Sequence, residues 1–537
     1  MNNIFDYIII GGGSAGCVLA NRLSEKSQNN VLLIEAGPSD WNPAYEIPLL
    51  AGTLFRLKYN NWYYQTEPEK YLNQRKIFWP RGKVLGGSSS INGMVYTVGL
   101  SSDYNTWSQL GNNGWGWDDV KSYFKKSQKY LDENKTEINE HGYLPINKPP
   151  FSHPIIEAFI ESGIDANQGF CHNFNNGKAS GVGYYDFTWE NGKRKSTSKT
   201  FLKDSMNRTN LTILTKTYVK RVLFDGKKCT GIEIYNKNKK NYIYANKEII
   251  LSAGTINSPT LLLQSGIGPF KELKKSGIKT IHNLNGVGKN LQDHLLVRIQ
   301  IASTYSDTLF KYLKWNKISL SILRAYIFKK GLGSIFPLTA GAYLKSTNDK
   351  DIPDLQSHFL PGLSTGKIRF PWSKENILNQ PGFFANIYQL RPESRGKIIL
   401  NEKNPFGKPK IYANYLEKEN DLICIRNGVK VIRNIFAQKP LFKYFSHEIE
   451  PGNLIKTDDQ IDYWIRNTAE TVYHPVGTCK MGPETDNNSV VDKSLRVIGI
   501  KNLRIVDASI MPVIPSCNTN APTIMIAEKA SELILKS

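Results

Sequence analysis

An apolar run with strand character, Ile4 to Ile10, leads straight into Gly11-Gly12-Gly13-Ser14-Ala15-Gly16, and this junction restricts the fold more than any other stretch of the chain. A helix-compatible segment, Cys17 to Ser24, leaves the glycines, and a second apolar strand, Val31 to Ile34, ends on Glu35. Strand, tight turn, helix, strand and acid in that order form the layout of a dinucleotide site. Glycines let a pyrophosphate approach the backbone, and the free N–H groups and dipole of the helix N-terminus face the anion. An acid about 20 residues past the turn can take both hydroxyls of a ribose and repels a 2′-phosphate, so Glu35 disfavours NADP. Far along the chain, Tyr473-His474-Pro475-Val476-Gly477-Thr478-Cys479 offers a histidine as a base. One end of the chain can hold a dinucleotide and the other can move a proton.

With 537 residues, 40% of them hydrophobic, the chain can bury two moderate cores, and two closely packed domains are expected. There is no run of about 18 apolar residues, and Met1-Asn2-Asn3 leads directly into the first strand, so no leader is expected. The expected compartment is the cytoplasm. Cys17, Cys171, Cys229, Cys424, Cys479 and Cys517 are widely spaced, form no CxxC pair and offer no metal-ligand spacing, so reduced thiols and no metal site are expected. The formal charge of +22 invites a polyanion partner. Nucleic acid is argued against, because the lysines are dispersed in small groups such as Lys227-Lys228 without a basic arm or interleaved aromatics. Peripheral attachment to the inner face of an anionic membrane stays open, and would matter if the electron acceptor were a membrane quinone.

The long irregular stretch from Trp41 to Trp79 reads as a lid or cofactor cover. It is followed by Arg81-Gly82-Lys83-Val84-Leu85-Gly86-Gly87-Ser88-Ser89-Ser90-Ile91-Asn92-Gly93, in which glycines and hydroxyls can converge on a ligand. Strands are expected at Leu211 to Leu214, Tyr218 to Phe224, Gly231 to Tyr235 and Glu248 to Ser252, with a helix from Ser258 to Gln264 entered through Pro259. Between about 296 and 464, strand-like runs at Asp354 to Leu360 and Phe383 to Leu390 suggest a mainly antiparallel sheet on the substrate side. Leu503 to Asp507 then returns to the nucleotide unit, and a helix is expected from about Thr523. The predicted class is α/β (α+β), with a discontinuous Rossmann-like dinucleotide domain over 1–150, 193–295 and 465–537 and a substrate domain over 151–192 and 296–464.

Together, GGGSAG, RGKVLGGSSSIN (81–92), GTINSPTLLLQSGIG (254–268), GVGKNLQDH (286–294), YHPVGTC (473–479) and IVDASIMPVIPSCNTNAPTIMIAEKAS (505–531) resemble the glucose-methanol-choline oxidoreductases, most closely the choline dehydrogenase-like and bacterial alcohol dehydrogenase branch. The resemblance implies FAD, with Gly11, Gly13 and Gly16 at the pyrophosphate, Glu35 on the adenosine ribose and Val219 beside the adenine. It further implies that Gly86, Gly87, Ser88 and Asn92 line the flavin, that Asp507 lies near the pyrophosphate and ribityl chain, and that Pro522 and Thr523 approach the isoalloxazine. Ser14 and Ala253 complete the implied cofactor-binding set. His474 corresponds to the family's active-site histidine, and Asn520 is taken as the second catalytic position. Asn518 is explained equally well by a turn. Ile91 stands where some choline oxidases attach FAD through a histidine, so the flavin is expected to be noncovalent. Cys517 stands where relatives often have glycine, and inert packing is the favoured reading of its thiol.

The implied chemistry is oxidation of a primary alcohol to an aldehyde. A neutral His474 takes or polarises the hydroxyl proton while hydride leaves the carbon for flavin N5, and Asn520 holds the oxygen. An ordinary histidine, with a pKa of about 6.5, would already be neutral at cytosolic pH. The acceptor is expected to be a quinone or other dehydrogenase acceptor, with O2 left open on account of the small apolar Val472. A non-redox hydroxynitrile-lyase role is the alternative within the same family. Choline-like and neutral primary or aromatic substrates stay equally open: Trp62, Tyr63, Tyr64, Phe359 and Tyr473 could cage a cation with Glu393 as its anion, yet such aromatics also form ordinary cores.

Overall fold

The computed structural model describes residues 3–130, 139, 141–237, 239–364, 368, 370 and 380–536. Met1 and Asn2, the start of the expected run into the first strand, lie outside the described residues. The chain opens with β1 (Ile4–Ile10), α1 (Ser14–Ser24) and β2 (Val31–Ile34). α1 begins three residues earlier than Cys17 because the extended backbone of Gly13 serves as its N-cap. The segment 41–79 includes α2 (Ala51–Arg56) and two-residue strands at Tyr64–Gln65 and Phe78–Trp79. Next come β3 (Leu211–Leu214), β4 (Thr217–Asp225), β5 (Lys228–Asn236) and the long β6 (Lys239–Leu251). β3, β2, β1 and β6 lie side by side in parallel, while β6, β5 and β4 form an antiparallel meander. Ile8, Ile9, Leu32, Leu33 and Ile250 are wholly buried, as a parallel sheet covered on both faces demands.

α3 (Gly254–Gln264) departs from expectation, since it begins at Gly254 and contains Pro259 in its interior. Proline lacks the N–H that would bond to the carbonyl four residues earlier. That carbonyl belongs to Thr255, and it accepts the Thr478 hydroxyl at 2.6 Å instead. The Thr255 hydroxyl in turn donates to Pro475 O at 2.7 Å. The proline is tolerated because the histidine-bearing segment supplies the missing donor.

The second sheet is antiparallel, with strands ordered Phe445–Glu450, Leu295–Ser303, Gly382–Gln389, Leu355–Leu360, Ala340–Leu344 and Gly181–Tyr184, and with Glu470–Thr471 beside Leu295 and Leu296. Side chains alternate between its faces. Leu355 and Phe359 pack with the helices Pro154–Asp165 and Glu419–Phe436, and Phe359 stacks on Phe159 with ring centroids 4.2 Å apart. His358 and Leu360 face the other way and line the central cavity. α4 (Trp315–Phe328) emerges between two strands of this sheet with only Ala325 buried.

The chain then rejoins the first sheet through β7 (Leu503–Ile505), parallel to the end of β6, and closes with α5 (Asn520–Leu535), which begins three residues before the expected Thr523. α5 packs on α1. Arg22 and the wholly buried Glu528 make a two-pronged ion pair there, with Nε and Nη2 at 2.9 and 2.8 Å from the carboxylate. The register places Leu214, Ile34, Ile10, Leu251 and Ile505 in one row across five strands, so the loops that follow them share the carboxyl edge of the sheet. This is the edge at which open α/β sheets bind ligands.

Candidate active site

A cavity of about 1050 Å³ runs from that edge to the face of the second sheet. At the nucleotide end the two glycine loops interlock. Gly86 N–H donates to Gly12 O at 2.7 Å. A Cβ on Gly87, at φ +55°, would lie 2.7 Å from the Gly13 Cα, and one on Gly11, at φ +106°, would lie 2.5 Å from Ser252 O. Gly16 lies off the cavity wall, where a Cβ would collide with Gly11 O at 1.9 Å, so its part is the close approach of turn and helix. No side chain caps α1 and its first turn holds no acid, so its N-terminal N–H groups are available to an anion beside Gly11, Gly13 and Ser14, which line the cavity. Bare backbone, free donors and a roomy channel fit the diphosphate of a dinucleotide.

Glu35 lines the cavity on the next loop. Its two oxygens accept Gly12 N–H at 3.0 Å and Gly37 N–H at 2.7 Å, and burial raises its pKa to about 7. Asp507 is buried and accepts from Gly254 N–H at 2.8 Å, the Ser258 hydroxyl at 2.5 Å and Ser509 N–H at 2.8 Å. It therefore ties the turn after β7 to the start of α3. Gly87, Ser88, Asn92, Val219, Ala253 and Thr523 also line the cavity, whereas Gly86 and Pro522 do not. The backbone carbonyl and Oδ1 of Asn92 accept from Arg194, a fully buried guanidinium whose pKa burial lowers to about 9.

At the opposite end, a chain of hydrogen bonds fixes the protonation of His474. His294 Nε2 is 3.0 Å from Leu390 O, which can only accept, so His294 carries its proton there and Nδ1 is left as an acceptor. His474 Nδ1 is 3.0 Å from that atom and must donate to it. The lone pair of His474 consequently sits on Nε2, 3.2 Å from Asn518 Nδ2. Thr97 sets the orientation of that amide, since its hydroxyl donates to Asn518 Oδ1 and accepts Asn518 N–H, both at 3.1 Å. Burial, followed by the neighbouring His294, His358 and Arg81, holds His474 well below the ordinary histidine pKa, so the near-ordinary value expected from the sequence is corrected downward. Burial also lowers His294 to about 4 and His358 to about 3.

The backbone at His474 is held equally firmly. Tyr473 adopts φ +68°, a left-handed conformation uncommon for a tyrosine. Its carbonyl accepts Arg81 Nη2 at 2.6 Å, its N–H donates to Thr471 Oγ1 at 2.7 Å, and His474 N–H donates to Asp293 Oδ1 at 2.7 Å. Asp293 also accepts from Thr471 and Tyr415, and burial raises its pKa to about 6.

Two sequence-based expectations change here. Asn520 lines the cavity but, among the described residues, makes no hydrogen bond to His474: as the first residue of α5 it accepts the Ser14 hydroxyl at 2.6 Å, which joins the two helix N-termini at the nucleotide end. Asn518, two residues earlier and still ahead of the helix, is the residue that reaches His474. The helix start decides which of the two side chains points where. Sequence reasoning also gave no role to Asp293 and His294, although both lie in the motif GVGKNLQDH, and the only signal was that adjacent acid and histidine. Cys517 is wholly buried off the cavity wall, and burial pushes its thiol well above the ordinary pKa, in line with inert packing. Of the suggested cage residues, Trp62, Tyr64 and Tyr473 line the cavity, while Tyr63 and Phe359 do not. Glu393 is off the wall as well and accepts from Asn420 Nδ2 at 3.2 and 3.3 Å.

Comparison with known proteins agrees with this architecture. The chain is 42% identical over 537 residues to an alcohol dehydrogenase [acceptor] of Pseudomonas putida, covering 99% of this chain and 96% of that protein. It is 40% identical over 539 residues to a mitochondrial choline dehydrogenase of Homo sapiens, covering 99% and 89%. Among solved structures, a formate oxidase of Aspergillus oryzae, described in terms of the modification of its FAD, superposes with a TM-score of 0.91 at 26% identity over 100% of this chain and 98% of its own. The profile of the GMC oxidoreductases matches residues 5–296 and 392–527, and the chain belongs to that family.

Proposed function

We propose that this protein oxidises neutral, apolar primary alcohols, aliphatic or aromatic, to aldehydes with FAD as its resident oxidant. The observation that carries the reading is the lone pair of His474 Nε2, fixed by the chain through His294 to Leu390 O, in a cavity walled by Met94, Val95, Leu296, Leu338 and Val472. Gly11, Gly13 and Ser14 would hold the diphosphate, Glu35 the ribose, and Gly87, Ser88 and Asn92 the flavin. When bound, FAD supplies the acceptor for the hydride that leaves the alcohol carbon. His474 takes the hydroxyl proton at Nε2, which places electron density on oxygen as the carbonyl forms. The hydroxyl takes the place of the Asn518 amide at that lone pair, and the Nδ2 N–H so released holds the oxygen in line. Burial keeps the imidazole neutral and ready to accept.

The charges on the cavity wall argue against choline. Its carboxylates are Glu35 and Asp507 at the nucleotide end and Glu470, which is 3.5 Å from Arg298. Arg56, Arg75, Lys76, Arg81 and Arg298 also line it, a field that disfavours a quaternary ammonium. A quinone-type acceptor is the reading for reoxidation; the Pseudomonas putida relative is named for an acceptor without its chemistry.

The test is to mix the anaerobic flavoprotein with medium-chain alkan-1-ols, benzyl alcohol and choline while following the flavin absorbance. Bleaching by the neutral alcohols and not by choline is the expected outcome. Bleaching by choline alone would sink the substrate reading. Reoxidation of the bleached enzyme by a soluble quinone faster than by O2 is the expected second result.

A further inference from the structure

We infer that α4 is a docking surface for an anionic lipid bilayer, on which it lies flat. This goes beyond the alcohol-oxidation reading and does not depend on it. Ile318, Ser321, Ile322 and Ala325, at helical spacing, make up the inner side of α4, and Ala325 and the Ser321 carbonyl rest against Gly333. The opposite side should then be polar in a helix that faces only water. It carries Leu320, Leu323 and Ile327 instead, at 55, 52 and 50% exposure, and Phe328, at the end of the helix, is 65% exposed. Trp315 at the first turn is 46% exposed and Tyr326 55%.

The charge around this apolar stripe is of one sign. Lys314, Lys317, Arg324, Lys329 and Lys330 lie on the helix or within two residues of it, and no aspartate or glutamate occurs from 308 to 348. An apolar face with aromatic residues, bordered by Lys and Arg and without acids, complements the negative surface and acyl boundary of a bilayer, and basic residues near such a surface each add to the attraction. A helix of 14 residues is too short to span the hydrocarbon core, and among the described residues no helix is long and apolar enough to cross a membrane, so the mode is surface attachment.

The position of the helix gives the attachment a direction. The turn Leu332–Ser334 after α4 packs on Pro48–Leu50, which leads into α2, where Gly52, Phe55 and Arg56 line the cavity. On the other side the chain continues to Phe336 and Leu338, also on the cavity wall. Leu57 and Tyr59, just past α2, are exposed at 46 and 71%. The docking helix thus adjoins the segments that frame the cavity, and a molecule dissolved in the bilayer has a short path to it.

The experiment uses the full-length flavoprotein and co-sedimentation with vesicles of phosphatidylglycerol mixed with phosphatidylcholine, against vesicles of phosphatidylcholine alone. Stronger binding to the anionic vesicles is expected, weakened at high salt. The triple variant Leu320→Ser, Leu323→Ser, Ile327→Ser should lose at least tenfold in vesicle affinity while its flavin absorbance and its turnover with a soluble dye acceptor stay unchanged. Lys314→Glu with Lys317→Glu provides a second variant that leaves the apolar stripe intact, and it should lose about fivefold or more per charge reversed. Quenching by brominated lipid should be present in the wild type and diminished in Trp315→Phe. The inference is overturned if anionic vesicles do not bind the wild type, if they bind the α4 variants equally well, or if light scattering shows a dimer that the triple variant abolishes without any vesicle binding, since α4 would then be covered by a second copy of the chain.

Discussion

His474 shows how much of the site rests on single atoms. Three imidazole and amide contacts leave its Nε2 unprotonated, so His474→Ala is expected to lower kcat a hundredfold or more, with FAD content and reduction by dithionite retained. The two asparagines should separate cleanly. Asn518→Ala should reduce kcat and leave flavin content intact, whereas Asn520→Ala, which removes the acceptor of Ser14, should weaken FAD retention first; flavin-to-protein ratio and turnover measured on both variants check this. The pH dependence follows from burial. A base whose pKa is held below 6.5 stays unprotonated through neutral pH, so kcat/KM should remain flat as pH falls to 6.5 and decline only below it. A decline centred above pH 7 would contradict the assignment. That His474, Gly11, Gly13, Gly87 and Glu35 come to one cavity was legible in the sequence because each is tied to a motif with local geometry. The choice between Asn518 and Asn520 was not, because it depends on where α5 starts, and the role of His294 was not, because its partners are 96 and 180 residues away.

At the scale of elements, the strands of the first sheet were readable as apolar runs, and their observed bounds differ from expectation mainly at exposed ends. The helices were harder. α1, α3 and α5 all begin earlier than the sequence suggests, α1 because Gly13 can cap without a side chain and α3 because a tertiary donor compensates for Pro259. That compensation can be measured. Thr478→Val keeps the shape but leaves Thr255 O without its partner, and should cost about 1–3 kcal/mol in thermal or urea unfolding. The contact between α1 and α5 should be more sensitive still: Arg22→Ala leaves the buried Glu528, among the described residues, with Lys126 at 3.4 Å, a loss of about 3–5 kcal/mol by comparison with other broken buried pairs. A change below 1 kcal/mol would show that Lys126 and water replace the guanidinium.

Over the whole molecule, the cavity is bounded by both sheets and by the cover segment, so a cofactor held there would bridge all three. A ligand that binds only the folded protein stabilises it in proportion to the logarithm of its excess over Kd, about 2.7 kcal/mol at a hundredfold excess. Removing FAD should lower the melting temperature, and adding it back should restore the value in a concentration-dependent way, as differential scanning fluorimetry can record. The net charge of +22 was plain from composition, yet composition could not reveal that an acid-free, apolar helix concentrates part of it beside the cavity.

The pairing of β7 with β6 and of α5 with α1 also has a temporal side. β1, α1 and β2 leave the ribosome early, but β7, which extends the sheet, and Asn520 and Glu528, which lock α1, are made only after the second sheet has been translated. Domains of growing chains generally fold in the order of their synthesis. Here the first sheet must wait, its α1 face uncovered, while several hundred residues are added, so the nascent protein is expected to need chaperone shelter and to acquire its flavin only after release.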